Sequence, residues 1–405
     1  MSSSISNRWG NHLLTISRCL AVAPTASRGF ARWIHCLWCV LLLSYVWTGC
    51  IWKCIVFDAE LPTIEKLLYL MEFPGNITIT GLLVFHAVLN CPYSRDVETQ
   101  IHRLIGEQDV GVARRLYRKH EKRTRLLLVQ TIVFHGACVV VDIVNYDFNW
   151  WTTWISNSVY NLPALMISLG VLQYALAVHF LWLLQAHLCH RLAELQVRQR
   201  PPPQGIVRLD ARYDLFFASL VDAGGCTTLV LDELRSTYTA IDRLHRQLLD
   251  KFGLFLLLNF GNSLCSFCEE FYLVFNFFER PQWAAGLLLF YRILWLVMHG
   301  SRIWVILAVN EQLVEQECHF CLQLNQLEVC GSHLERTINR FLVQLQTSIG
   351  QPLLACGVID LDTLAMGGFI GVLMAIVIFL IQIGLGNKSI KLDIRLNKLP
   401  HLIIP

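Results

Sequence analysis

Charged and amide side chains are scarce in the long apolar stretches of this chain, so the few that occur there mark where chemistry could sit. Glu269 and Glu270 fall inside one such stretch, Arg292 inside the next, and Gln382 inside the last. A charge or amide in hydrocarbon is costly unless it meets a partner or water. Glu269 and Glu270 lie near the outer end of their stretch, and Arg292 sits at similar depth in a segment that runs back antiparallel. A structural ion pair of Glu270 or Glu269 with Arg292 is the economical reading, with a charged ligand site as the functional alternative. Arg302, further along the same stretch and near the inner face, is expected either to snorkel or to meet the cytoplasmic helical segments. Gln382 stands among Phe379, Leu380, Ile381 and Ile383, and either bonds a neighbouring helix or faces water.

Metal and nucleophile chemistry finds less support. Cys318-His319-Phe320-Cys321 followed by Cys330 and His333 supplies zinc-type ligands. The segment has helical periodicity, however, and a straight helix would scatter those side chains. Cys36/Cys39 and Cys265/Cys268 repeat the spacing inside apolar stretches, where small thiols pack well. His187, Cys189 and His190 make too small a cluster for an active site. The expectation is a protein that is not an enzyme, with no metal and no cofactor.

The elements that must carry these residues are membrane helices. The chain has 405 residues, 55% hydrophobic and 16% charged, where a soluble domain carries about a quarter charged. The mean hydropathy is +0.48. The fold class expected is all-α, a polytopic membrane protein with seven transmembrane helices. Spans are expected near 33–57, 67–91, 126–146, 162–187, 252–278, 283–309 and 364–385. The second contains Glu72, Pro74, Gly75 and Asn76, so it should face the bundle or a cavity. Between Phe148 and His190 lie 43 residues without Asp, Glu, Lys or Arg, and the Trp- and Asn-rich first part reads as an interfacial loop. Beyond Pro201–Pro203, Leu231, Leu234, Tyr238, Ile241, Leu244 and Leu248 recur at helical spacing; Leu313, Leu324, Leu334, Ile338, Phe341 and Leu345 do the same later.

Lys and Arg set the orientation. The segments 1–32, 92–125, 191–251 and 310–362 carry 24 of them, against six on the opposite side. The basic side is expected to be cytoplasmic, which puts the N-terminus inside and the C-terminus outside. The resulting division is a cytoplasmic N-terminus (1–32), a six-helix bundle (33–309) with cytoplasmic linkers 92–125 and 191–251, a cytoplasmic amphipathic helical segment (310–362), a last helix (363–385) and an extracellular tail (386–405). Asn387-Lys388-Ser389 in that tail is a glycosylation triplet close to the membrane. Arg18 interrupts the apolar stretch that a cleavable signal peptide would need, and the acid-free, Arg- and Ser-rich start also suits mitochondrial import.

The run Phe341-Leu342-Val343-Gln344-Leu345, then Ala355-Cys356-Gly357-Val358-Ile359-Asp360-Leu361-Asp362, then a span ending Ile381-Gln382-Ile383, resembles the C-terminal signature of insect gustatory receptors. Of that family's Thr-Tyr pair, five apolar residues and Gln-Phe, the Gln is retained as Gln382; Ala375-Ile376 and Ile383 stand at the other signature positions.

The resemblance implies a ligand-gated, non-selective cation channel subunit in a sensory neuron's plasma membrane. Its partners would be a small-molecule tastant, other receptor subunits in a homo- or hetero-tetramer, and membrane lipids, with no nucleic acid. Four seventh helices would surround one pore, lined by Ala375, Phe379, Gln382 and Ile383, with Phe379 and Ile383 as an apolar ring able to close by dewetting. Bitter-type ligands would enter the outer half of the bundle, where Tyr69, Glu72, His86, His135, Tyr146, Trp154, Tyr160, Tyr291, Trp295 and His299 supply aromatic walls and few polar groups. Rivals are a co-receptor subunit that binds no ligand, a G-protein-coupled receptor and a secondary transporter. The charge asymmetry opposes the receptor reading, and the absence of internal sequence repeats opposes the transporter.

Overall fold

Apolar periodicity sustained for longer than a bilayer is thick forms helices that cross the membrane and project beyond it. The computed structural model describes residues 8–24, 29–55, 63–89, 91–106, 108–199, 213–279, 286–327, 332–349, 351 and 353–397. The helices are α1 (Arg8–Cys19), α2 (Phe30–Ile55), α3 (Thr63–Leu89), α4 (Cys91–Gly106), α5 (Val110–Asn145), α6 (Trp150–Ser156), α7 (Leu162–Gln199), α8 (Tyr213–Glu279), α9 (Gly286–Asn325), α10 (Ser332–Ile349) and α11 (Leu364–Asn397). Among the described residues, six helices are long and apolar enough to cross a membrane, and Phe73–Leu89 of α3 is a shorter apolar helix. The seven expected spans are all there.

Several boundaries differ from the sequence reading, each for a local reason. The 92–125 stretch is helix almost throughout, because Asp109 caps α5 by accepting from the Gly111 amide. The Trp-rich stretch is helix rather than loop: Asn149 caps α6 at the Thr152 amide, and a π turn, Asn157–Asn161, joins it to α7. The fifth span is continuous with the amphipathic segment before it, giving the 67-residue α8, about 100 Å long. Helix α11 runs on to Asn397 instead of ending near Leu385. Asn387 therefore lies on helical backbone, its side chain outside the described residues.

Helix α7 is the centre of the bundle, its apolar stretch mostly buried, whereas those of α2 and α11 are mostly exposed. Exposed Trp33, Leu37, Leu41, Trp52 and Ile55 make α2 an outward-facing helix. Beyond the bundle, α8, α9 and α10 pack as the helical spacing of their apolar residues predicts. The rings of Tyr238, Phe320 and Phe341 meet at centroid distances of 5.4–6.1 Å, and Leu234, Ile241, Leu313, Leu324 and Leu345 are buried. Gln344 fixes α10 to α8, accepting from Arg235 Nε and donating to Thr239 Oγ1, both at 2.8 Å.

One element departs from all-α. Leu354–Ala355 and Ile359–Asp360 form a two-stranded antiparallel ladder, Leu354 opposite Asp360. Its turn needs left-handed backbone, φ 51° at Cys356 and 71° at Gly357. A side chain at Gly253 would press within 3.2 Å of the Cys356 amide, so the hairpin tip seats against α8. Asp362 then caps α11, accepting from the Ala365 amide at 2.8 Å, and Thr363 donates to Glu311 at 2.9 Å. The signature run before the last helix thus sets where α11 starts.

Candidate functional site

Two places in the fold gather the sequence-predicted residues. The first lies between α5, α7 and α9. The π turn directs Asn161 inward, where its Oδ1 lies 2.5 Å from His135 Nδ1 and its Nδ2 donates to the His135 carbonyl at 3.1 Å. His135 Nε2 lies 3.2 Å from Ser168 Oγ. Arg302 donates to the same oxygen from Nε at 3.1 Å and Nη2 at 2.9 Å, and to the Ala164 carbonyl. Asn161 Oδ1 can only accept, so its contact requires His135 Nδ1–H as the donor. Arg302 does not snorkel. It is 4% exposed, held by α7 acceptors.

Above this network sits an aromatic cluster. Trp295 meets Tyr291 and His299 at 6.0 Å each and Phe134 at 6.4 Å, edge-on. Cys138, Ala164 and Met298 are buried with Trp295, and Tyr160 packs against them and meets Phe73 of α3 at 5.5 Å, the rings tilted. A cavity of about 100 Å³ adjoins the cluster, with Phe134, His135, Ser168, Met298 and Arg302 among its walls. It offers apolar rings around a few directed polar groups, suited to a small, mostly apolar ligand.

Five of the ten pocket residues, His135, Tyr160, Tyr291, Trp295 and His299, come together here. Tyr146 and Trp154 do not: they are 37% and 63% exposed. His86 lies elsewhere, lining a small cavity with Lys251 and Gln173. Tyr69 and Glu72 are on α3, with side chains outside the described residues. The ion pair forms as read: Arg292 Nη1 donates to Glu270 Oε1 at 3.0 Å, beside buried Glu269. Buried Asp142 also falls within electrostatic reach of Arg292 and accepts from Ser156 Oγ at 3.1 Å. Asp142, a carboxylate in the third apolar run, was the visible signal that the sequence reading passed over; Ser168 and Asn161 gave none, being ordinary in membrane helices.

The second place is α11. Leu373 and Val377 are buried, and Phe369, Ile376 and Leu380 pack against the core, which makes a stripe that faces α8. At about 100° per residue, the opposite direction carries Leu364, Gly368, Gly371, Ala375, Ile378 and Gln382. All six are exposed. Phe379 and Ile383 are exposed as well, rotated from Gln382 by roughly 60° and 100°, whereas Ala375 and Ile378 lie within about 40° of it. Phe267 of α8 connects the two places, meeting Phe369 at 5.7 Å and His299 at 6.2 Å.

A family model described as 7tm chemosensory receptor matches residues 11–387. The chain belongs to that family. This chemosensory receptor is 58% identical over 393 residues to a Drosophila melanogaster protein named as gustatory receptor 59e, covering 97% of this chain and 98% of that one. It is 22% identical over 381 residues to the one named as gustatory receptor 59f, covering 93% and 86%. In fold, the receptor is similar to the olfactory receptor OR5 from Machilis hrabei, with a TM-score of 0.66 at 11% identity, over 93% of this chain and 98% of that one. The structure of OR5 in complex with eugenol gives 0.63 at 12% identity, over 93% and 97%. The receptor is therefore a multi-pass membrane protein of the gustatory branch, with a fold similar to that of an insect olfactory receptor, in a family of receptors rather than enzymes.

Proposed function

We propose that this gustatory-family receptor is a subunit of a ligand-gated, non-selective cation channel, opened by a bitter-type contact chemical at the outer surface of a sensory neuron. The observation that carries the reading is the two-sidedness of α11. One stripe packs on its own bundle, and the opposite stripe of Gly368, Gly371, Ala375, Ile378 and Gln382 is apolar or small, ending in an amide, and is exposed among the described residues. Four copies around an axis would cover that stripe, put four Gln382 amides into water, and set Ile378 one turn below as an apolar constriction. Phe379 and Ile383 then stand at the flanks, between neighbouring copies.

The ligand site is the aromatic cluster with its cavity beside Ser168 and Arg302. OR5 takes eugenol, a small aromatic molecule, which fits the same chemistry. The α8–α9–α10 assembly is the cytoplasmic anchor, and the N-terminus lies inside. Expression in a receptor-free cell, with patch clamp during application of bitter compounds, tests this. Currents independent of G proteins support the channel; uptake of the compound without channel-like conductance contradicts it. A C-terminal epitope should label without permeabilisation, and labelling only after it overturns the orientation. Gln382→Ala should alter permeability ratios.

A further inference from the structure

The exposed face of α5 changes abruptly from basic to apolar. The packed side of the helix is Ala113, Leu116, Thr124, Leu127 and Leu128, all buried. At about 100° per residue, Arg114, Arg118 and Lys122 stand opposite that side, within roughly 80° of one another, and all three are exposed. Arg115 and Lys119, exposed as well, widen this basic face. Val129, Ile132, Val133 and Val140 carry the same face onward, and they are 41–63% exposed. No Asp, Glu, Lys or Arg occurs from Leu126 to Val141. The upper part of the face therefore lies against acyl chains, and the cations directly below it stand at the headgroups.

Glu121 is the one carboxylate between Val110 and Arg125, and it is half-buried at the edge of the face. Among the described residues, no carboxylate makes an ion pair with Arg114, Arg115, Arg118, Lys119 or Lys122. The excess of positive charge is complementary to a phospholipid with an anionic head. Height narrows the choice. The polar zone on each side of a bilayer is only about 5–8 Å thick. Measured down the helix from Leu126, Lys122 is about 6 Å away, Arg118 about 12 Å and Arg114 about 18 Å. A headgroup confined to the polar zone meets Lys122 alone; reaching Arg118 takes a head that carries phosphate further out. We infer that the basic end of α5 binds a phosphoinositide, its ring phosphates on Lys122, Arg118 and Lys119 and its acyl chains along Val129 and Val133. The inference needs neither the tastant site nor the pore. It shares with the channel reading only the cytoplasmic placement of this end, and binding in micelles does not depend on that placement.

Binding of a fluorescent dioctanoyl phosphatidylinositol bisphosphate to the full-length receptor in maltoside micelles, with empty micelles as background, tests the site. Saturable binding is expected for the wild type. Each cation near a membrane surface contributes about fivefold to such binding, so Arg118→Gln with Lys122→Gln should weaken it at least about tenfold. Both side chains are exposed, so the melting temperature should not change. Arg336→Gln with Arg340→Gln removes the same charge from exposed positions on α10 and should leave binding unaltered. Dioctanoyl phosphatidylserine, and inositol trisphosphate without acyl chains, should each compete at least about tenfold less well than the unlabelled phosphoinositide. Absence of saturable binding overturns the proposal. So does binding that Arg118→Gln with Lys122→Gln leaves unchanged, or equal weakening by the two double variants. Equal competition by phosphatidylserine or by inositol trisphosphate also contradicts it.

Discussion

Phe267 touches two helices at once: its ring meets Phe369 of α11 at 5.7 Å, planes 68° apart, and His299 of α9 at 6.2 Å. Because His299 meets Trp295 at 6.0 Å, a continuous row of rings runs from the aromatic cluster to the last helix. A change in how Trp295 packs has a direct route to α11 through Phe267. Phe267→Ala should reduce the maximal ligand-evoked current by about 2- to 30-fold, the range of long-range coupling energies, and leave ligand affinity unchanged. Recording dose–response curves beside a binding assay separates the two; a pure affinity loss would put Phe267 in the pocket instead.

The cavity beside Met298 gives a complementary prediction. Met298→Trp fills it from α9 and should abolish the ligand response while surface expression persists. Ser168→Ala acts differently, removing an oxygen that receives Arg302 and contacts His135. Leaving such buried groups short of a partner costs about 1–3 kcal/mol, so the purified receptor should melt at lower temperature.

Arg292 has acidic neighbours on two helices, Glu270 on α8 and Asp142 on α5. Breaking a buried pair costs about 3–5 kcal/mol, so Arg292→Ala should sharply reduce folded receptor at the cell surface. The charge reversal Glu270→Arg with Arg292→Glu should not rescue it, because the new carboxylate would face Asp142. Full rescue would show that the Glu270–Arg292 contact stands alone.

Glu317 belongs to the part of α9 beyond Val309, outside the apolar stretch; the 40-residue helix spans about 60 Å, twice the hydrocarbon thickness. Burial pushes its carboxyl up to about 8, with the negative charge of Asp242 adding and Arg246 opposing. A raised acid binds its proton more tightly in the folded state, so this contribution is full at low pH and lost as pH rises towards 8. Melting temperature should therefore fall as pH is raised from 5 to 9, and Glu317→Gln should flatten that dependence. A variant that melts in parallel with the wild type at every pH contradicts the assignment.

Much of this architecture was written in simple periodicities. Leu231, Leu234, Tyr238, Ile241, Leu244 and Leu248 repeat at helical spacing, and all six are buried. The pairing of Arg292 with Glu270 was legible because two charges at one depth in hydrocarbon have few other options. Helix ends were less legible: Asp109 and Asn149 act as caps only if the following residues turn inward, which depends on packing against α7. The facing of α11 was hidden for a similar reason. Spacing joins Phe379 to Gln382 at i, i+3, yet it is the contact of Leu373 and Val377 with the bundle that turns Ile378 to the far side. Arg302 looked like a snorkelling residue because Ser168 and Ala164 sit more than 130 residues away in sequence.

The facing of α11 is the claim on which the channel account stands, and cysteine accessibility under patch clamp measures it directly. Cysteines introduced singly at Gly371, Ile378 and Gln382 should react with a water-soluble thiol reagent and block the ligand-evoked current. Cysteines at Leu373 and Val377, buried against the bundle, should leave it intact. Block from Leu373 and Val377, with none from Ile378 and Gln382, would contradict the account.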